Sequence, residues 1–405
     1  MTDQIDKKQA ELGSPEIFRQ FEQLVAEENG QRALVCLAEY LFSQARFHEL
    51  FEVRKLQLRL ECGWPLRSGE IRRELQPREQ LDYDAKLLEI CREIGMALWH
   101  EGRLSEAWMY LQAIDDRGLL SRLLRATEIN EDNADDLLGL AIQEGIDPTQ
   151  GIEWLLTQRG TCNAITTYDS YYFAFDLETR RESAAILVRH LHAELRNNLL
   201  VHLRRLEVKL AFEPVAEAHP ISQLLQWNAN IFDQGMVHVD VSHLAAVVRL
   251  GRIVNDPAAI RDAVELCAYG KAIASDFRPT GDSPFVDLFE DSGLYYRALL
   301  GEEIEKGINF FRDRAEACQP AVDTTAPIEW YLYFLQQLGR RELAIDETIR
   351  LLPNATPQMN IAPTLHELSE TRADWEKAQR CFARHQRLLD FSICVLENAI
   401  SEASE

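Results

Sequence analysis

The spacing of the apolar residues is the feature of this sequence that most limits its fold. Apolar side chains recur three and four positions apart along almost the whole chain, as in Phe18, Phe21, Leu24 and Val25. Stretches in which apolar and polar residues alternate are short and rare, so the helical period of 3.6 residues dominates. With 46% of its 405 residues apolar, the chain is long enough to bury a substantial core. The sequence therefore predicts an all-α protein.

Three segments share one arrangement, in which two helices are joined by a tight turn. In the clearest segment, about 84–114, small residues lie where the two helices would cross, and a glycine lies at the turn. A second segment ends near 353, and a third surrounds 373–382. Weaker units have Gly251 and Gly301 as candidate turn glycines. The small and turn residues of the three good segments are Gly95, Gly102, Ala107, Gly339, Ala344 and Ala378.

This arrangement resembles the tetratricopeptide repeat, a helix-turn-helix unit with small residues at the helix crossing. The resemblance implies a solenoid of stacked helix pairs, whose concave face holds a segment of another protein. An irregular helical bundle is the alternative for the same spacing. We expect a repeat-like N-terminal block over 1–118, a non-repeat helical middle section over 119–235 and a repeat-like C-terminal block over 236–405.

The middle section departs from the repeat in two ways. Leucines at helical spacing predict one long helix over about 177–211, which is too long for one repeat arm and suited to bracing the neighbouring pairs. An aromatic segment precedes it and is a candidate partner-binding surface, because aromatic side chains bury large areas in interfaces. Alternatively, its rings fill the junction between two helical blocks. The aromatic residues are Tyr168, Tyr171, Tyr172, Phe173 and Phe175.

The charge of the chain limits its partners. The 43 basic and 66 acidic side chains give a formal net charge of −23, which repels phosphate backbones, so we expect no nucleic-acid partner. The N-terminal residues lack the apolar core of a secretory signal, and no apolar run reaches about 18 residues. We therefore expect a cytoplasmic protein without a membrane partner. The eight scattered cysteines predict neither a disulfide framework nor a zinc site.

A search for catalytic chemistry yields no recognisable motif. The phosphate-binding GxxxxGK[ST], the dinucleotide-binding GxGxxG, the GxSxG elbow and the HExxH pair are all missing from the sequence. The best metal candidate is the run His238, Asp240 and His243, but Asp240 is better explained as the N-cap of the next helix. His190 and His192 lie two positions apart and point in different directions on a helix. We expect no catalytic residue, no cofactor and no metal ion.

These observations favour an interaction or scaffold protein that binds a partner through a helical-repeat groove. The alternative is an enzyme or small-ligand-binding protein with a pocket in the middle section, lined by His190, Asp240, His243 and the tyrosines. Self-association is a further use of such an array. We expect another protein to bind the concave face of the units over about 328–390, or the aromatic segment at 168–175. The acid excess favours a basic or mixed-charge partner.

Overall fold

The computed structural model describes residues 15–27, 30–66, 76–205, 219–226, 231–319, 324–352 and 361–404. Throughout these ranges the chain forms helices joined by turns and loops, and the one β-type pairing is an isolated bridge between Asp282 and Phe285. The prediction of an all-α fold with packed helix pairs is confirmed. None of the helices in these ranges is both long and apolar enough to cross a membrane.

The chain divides into two compact units, residues 1–151 and residues 152–405, so the predicted middle section, 119–235, is shared between them. The division falls within helix α8. A π-helical turn at Gly139–Gln143 follows α7. The helices of the first unit are α1 (Pro15–Glu27), α2 (Gly30–Ser43), α3 (Phe47–Glu61), α4 (Pro77–His100), α5 (Leu104–Leu111), α6 (Arg117–Ala126), α7 (Ala134–Leu138) and the start of α8 (Pro148–Gln158).

The second unit contains twelve further α-helices within its described residues. Short 3₁₀ turns lie at Asp233–Gly235, Gly251–Ile253 and Ser275–Phe277. The helices are α9 (Thr161–Tyr171), α10 (Leu177–Arg205), α11 (Ile221–Gln226), α12 (Val241–Leu250), α13 (Pro257–Ala272), α14 (Leu288–Leu299), α15 (Ile304–Ala317), α16 (Ala326–Gln337), α17 (Arg341–Leu351), α18 (Leu365–Leu368), α19 (Arg372–Arg384) and α20 (Leu388–Ser404).

One turn geometry recurs between paired helices in both units. The first helix ends, one residue adopts a positive φ angle, and an arginine follows immediately before the next helix. The N–H of that arginine donates to the carbonyl five residues earlier at 2.9–3.0 Å, which satisfies a carbonyl at the helix end. Glycine adopts such a φ angle without steric cost. The angles are 52° at Ala45, 74° at Gly102, 68° at Gly339 and 57° at Gln386.

In three of the four turns the arginine also pairs with an acid in the first turn of the next helix, whereas Arg340 pairs with Glu305 of α15. Arg46 donates from Nε to Glu49 at 2.6 Å, and Arg103 donates from Nε to Glu106 at 2.8 Å. Hydrogen bonds from Arg103, and then from His48, lower the pKa of Glu106 to about 2. A carboxylate near a helix N-terminus is also favoured by the helix dipole. Each turn therefore joins the end of one helix to the start of the next.

Small residues allow the paired helices to approach closely. A Cβ added to Gly95 on α4 would lie 2.6 Å from the side chain of Leu111 on α5, so only glycine fits without movement of the leucine. Ala107 on α5, Ala344 on α17 and Ala378 on α19 are all fully buried. These positions leave no room for a larger side chain in the present packing.

The long helix α10 spans Leu177–Arg205, and the remainder of the predicted range, 206–211, lies outside the described residues. Leucines along one side, including Leu195, Leu199 and Leu203, are fully buried. The helix contacts α9, α12 and α13, so it packs against several neighbours rather than one partner. This agrees with the bracing role expected from its length.

Gly251 does lie between two helices, because it begins the 3₁₀ turn Gly251–Ile253 that follows α12, but its backbone differs from that of the other turn glycines. Its φ angle is −64°, an ordinary right-handed helical value that any residue adopts. Glycine is instead required by packing, because a Cβ here would lie 2.8 Å from the Tyr296 hydroxyl and 3.0 Å from Val188. Gly301, the other candidate, does have a positive φ of 91°.

We predict that Ala107→Leu and Ala344→Leu each lower the free energy of unfolding by roughly 1–3 kcal/mol, because added methylenes overpack a filled helix crossing. Chemical denaturation monitored by circular dichroism measures the change. Ala85→Leu is the matched control, since Ala85 is an exposed residue on α4. Stabilities equal to that of the control variant would show that these alanines do not limit the packing.

Candidate functional site

The aromatic segment at 168–175 divides between core and surface. Tyr168 is fully buried, and its hydroxyl donates to the carbonyl of Arg180 at 3.0 Å. Burial raises the pKa of Tyr168 far above its ordinary value. Phe175 is also buried. These two rings therefore belong to the core of the C-terminal unit.

The other three rings of the segment reach the surface to different extents. Phe173 is 84% exposed, whereas Tyr171 and Tyr172 are half-buried. Tyr171 stacks on Phe175 with ring centres 6.0 Å apart, and the guanidinium of Arg180 lies 4.6 Å from the centre of the Tyr172 ring. A partner would have access to Phe173 and to the edges of the tyrosines, and partner binding by this segment stays a prediction.

Asp240 occupies the N-cap position of α12. Its carboxylate accepts the backbone N–H of Ser242 at 2.7 Å and that of His243 at 3.3 Å. The hydroxyl of Ser242, which donates to the same carboxylate, and then these backbone bonds lower the pKa of Asp240. The interpretation of this residue as a helix cap is confirmed. Among the residues that the structure describes, no three His, Cys, Asp or Glu side chains form a group that could hold a metal ion.

His190 and His192 face different elements, as their spacing predicts. His190 Nε2 lies 3.2 Å from the hydroxyl of Thr161 on α9, whereas His192 Nε2 lies 2.9 Å from Glu265 on α13. Burial alone would raise the pKa of Glu265, but hydrogen bonds from His192 and from the backbone of Ile221 outweigh it and lower the value. The His192–Glu265 pair therefore joins α10, α11 and α13. It does not form a ligand site with His190.

A chain of hydrogen bonds buries His238 beside α10 and α13. The hydroxyl of Tyr269 accepts the backbone N–H of His238 at 2.8 Å and lies 3.0 Å from its Nδ1. Nε2 of His238 lies 2.8 Å from Nδ1 of His202, so the two imidazoles share a hydrogen bond. Burial, and then the neighbouring His202, lower the pKa of His238 to about 4. The neutral imidazole is thus the form that fits this structure.

The terminal helix α20 has two apolar faces. The inner face packs on α19, where Cys394 is fully buried and Gln379 donates to its carbonyl at 3.2 Å. His366 Nδ1 lies 3.5 Å from the Cys394 sulfur. The outer face, on the side away from Cys394, carries four aliphatic residues that we call the outer stripe: Leu389, Ile393, Leu396 and Ile400.

The outer stripe has the geometry of a helix-packing seam. Its members are spaced four, three and four residues apart, and at 100° per residue they fall within about 60° of arc. The same spacing forms the seam between helices in coiled coils. The exposed fractions are 74% for Leu389, 37% for Ile393, 62% for Leu396 and 60% for Ile400. Asp390 and Glu397 lie along one edge of the stripe. Asp390 already pairs with Arg387 at 2.9 Å and lies 3.3 Å from His366, so Glu397 is the acid of this edge that faces a partner.

Sequence reasoning missed this surface because apolar residues occur on both sides of α20. The expected binding region ended at about 390, so it did not include most of this helix. The available signal was the pair of overlapping patterns, one through Phe391 and Cys394 and the other through Leu389, Ile393 and Leu396. A helix that packs against its neighbours along a single side needs just one of these two apolar patterns.

Comparison with known proteins gives no relative to guide this assignment. No family model matches the chain, and neither does any curated protein or any solved structure.

We predict that His238 makes the stability of the chain depend on pH. The folded-state pKa, about 4, lies below the ordinary value of 6.5, so the unfolded chain takes up a proton first. The contribution is present in full above about pH 6.5 and is lost as the pH falls through 4, for a total of roughly 3 kcal/mol.

Urea unfolding at pH 7 and pH 4.5 of the wild type and of His238→Gln, which does not titrate, measures this contribution. Other titratable groups also change the free energy of unfolding over this pH range. Their contribution is common to the wild type and the variant, so it cancels when the two proteins are compared. The wild type should lose more stability than the variant between the two pH values. Equal losses would contradict the assignment.

Proposed function

We propose that the chain is a cytoplasmic scaffold or interaction protein, built as a tetratricopeptide-like solenoid, which binds an amphipathic helix of a partner protein on the outer stripe of α20. The exposure of this seam is the observation that carries the proposal. The recurring turn, with its positive φ and following arginine, supports the repeat-like architecture. The buried alanines at the helix crossings support it as well.

The outer stripe suits a helical partner for a physical reason. Side chains spaced four, three and four apart present one continuous edge, into which the side chains of a second helix interlock. Full burial of an aliphatic side chain contributes about 1.5–3 kcal/mol, so three largely exposed residues and the partly exposed Ile393 offer several kcal/mol before the entropy of association is subtracted. This is enough for a specific complex if the partner helix is already formed.

The charge beside the outer stripe indicates which side chains should border the apolar face of the partner helix. Asp390 and Glu397 border the stripe, and the chain carries a net charge of −23. Because Asp390 is already paired with Arg387, the attraction rests on Glu397 and on the overall acid excess. A second copy would carry the same acid excess, whereas a helix with lysine or arginine beside its apolar face would be attracted and steered. We therefore favour a basic amphipathic helix over self-association. The groove over 328–390 and the exposed Phe173 remain further candidate contacts.

We predict that Leu389→Ser combined with Leu396→Ser weakens partner binding by about tenfold to a hundredfold, because a tenfold loss corresponds to about 1.4 kcal/mol. The melting temperature should be unchanged, since both side chains are exposed. Affinity capture of partners, followed by titration of the recovered partner, measures the effect.

The matched control is Leu81→Ser combined with Leu88→Ser. These two leucines are also exposed, lie seven positions apart and belong to one helix, α4. The control should retain full binding. Equal partner capture by both double variants would exclude the outer stripe as the binding surface, and a concentration-dependent wild-type dimer lost only in the α20 variant would assign the stripe to self-association.

A further inference from the structure

A second surface of the C-terminal unit has the opposite chemistry. A groove of about 600 Å³ lies between α17 and α19 and is lined mainly by cationic side chains. Its volume falls within the range of about 300–1,000 Å³ that is typical of binding sites. We call this surface the basic groove, and its charged lining consists of Asp346, Arg350, Lys377, Arg380, Arg384 and His385.

Two of these cations are already neutralised by the chain. Lys377 Nζ lies 2.8 Å from Asp346, within the groove itself. Arg350 pairs with Glu347 of its own helix and with Glu316 of α15, the latter at 3.0 Å. These two side chains are held in place and contribute little net positive charge to a ligand.

Arg380 and Arg384 differ from them. Within the part of the chain that the structure describes, neither guanidinium has an ion pair or a side-chain hydrogen bond, and both residues are exposed. They lie one helical turn apart, where like charges repel each other and destabilise a helix slightly. Beneath them are Ile349 and the buried Cys381, so the guanidinium groups stand above an apolar floor.

We propose that the basic groove binds a short acidic segment of a partner protein, with Arg380 and Arg384 as the anchors. A carboxylate placed between the two would relieve their mutual repulsion. The planar guanidinium can also hold a carboxylate with two parallel hydrogen bonds. Arginine clusters recognise acidic and phosphorylated peptide motifs by this geometry.

The net charge of the chain decides between a short segment and a long polyanion. At physiological salt, charges are screened beyond about 8 Å, so a ligand inside the groove feels mainly the two arginines. A nucleic acid extends far past the groove and meets the acidic surface of a chain with net charge −23. A peptide with a few carboxylates matches the positive charge of the two arginines and does not reach the acidic surface that repels a nucleic acid.

This inference is independent of the outer stripe. The groove-lining residues Lys377, Arg380 and Arg384 share one side of α19, because they recur at helical spacing. Gln379, which bonds to α20, lies on the other side. Changes at the arginines therefore leave the α19–α20 packing in place, and the two surfaces can be tested separately.

The experiment uses fluorescence anisotropy with the full chain and three labelled probes of equal length: a peptide of glutamates and glycines, its glutamine counterpart, and a single-stranded oligothymidylate. The wild type should bind the glutamate peptide at low salt at least tenfold more tightly than either other probe. Affinity should fall as salt increases. A phosphoserine peptide in a fourth arm should also bind.

Arg380→Gln combined with Arg384→Gln should weaken binding of the glutamate peptide by at least tenfold. The control is Arg204→Gln combined with Arg205→Gln, which removes the same charge from exposed positions on α10. It should bind as the wild type does. Thermal melting of both variants confirms that they are folded, as expected for exposed side chains.

Three results would overturn the proposal. They are the absence of glutamate-peptide binding by the wild type at low salt, an equal loss of affinity in the two double variants, and tighter binding of the oligothymidylate than of the peptide. The last result would assign the groove to nucleic acid.

Discussion

A buried arginine, Arg252, organises the C-terminal unit. Its side chain is 1% exposed, and its guanidinium carbon lies 3.6 Å from the centre of the Phe285 ring. Both oxygens of Asp282 accept from it, at 2.9 and 3.1 Å, and the Ser292 hydroxyl accepts at 3.2 and 3.3 Å. Removing a cation from water costs several kcal/mol, which only such a set of partners offsets. The loop around 282–285 and helix α14 must therefore keep the positions in which they supply these partners to Arg252.

The backbone of the same turn also contacts α14 and holds two further helices, α10 and α16, in register. The hydroxyl of Tyr295 on α14 donates to the carbonyl of Arg252 at 2.9 Å. The carbonyl of Ile253 accepts from Arg181 on α10 at 3.2 Å and from Tyr333 on α16 at 3.4 Å. Buried carbonyls need partners, and here the partners come from distant parts of the sequence. One turn thus connects the long helix to the helix pairs that follow it.

Local features of this fold were predictable, and features that depend on distant contacts were not. The turn at Gly102 and the cap at Asp240 are set by a few neighbouring residues, so the sequence alone indicates both. Arg252 gives no such signal, because arginine usually lies at the surface and its burial depends on Asp282 and Phe285. The arginines at 380 and 384 likewise resemble an ordinary solvated helix face. Only the packing of α17 beside α19 makes them one wall of a groove.

Helix α19 separates the two surfaces that we propose as binding sites, and these surfaces differ in their chemistry. Its inner side, through Trp375, Ala378 and Phe382, is buried in the unit, and α20 packs against it with the outer stripe directed away. An apolar stripe sets the lifetime of a complex, whereas an exposed charge cluster mainly sets its rate of formation and its salt dependence. If one partner carried both a basic amphipathic helix and an acidic segment, the second contact would form at a high effective concentration. Such a partner would gain affinity from two weak sites without either site being strong alone.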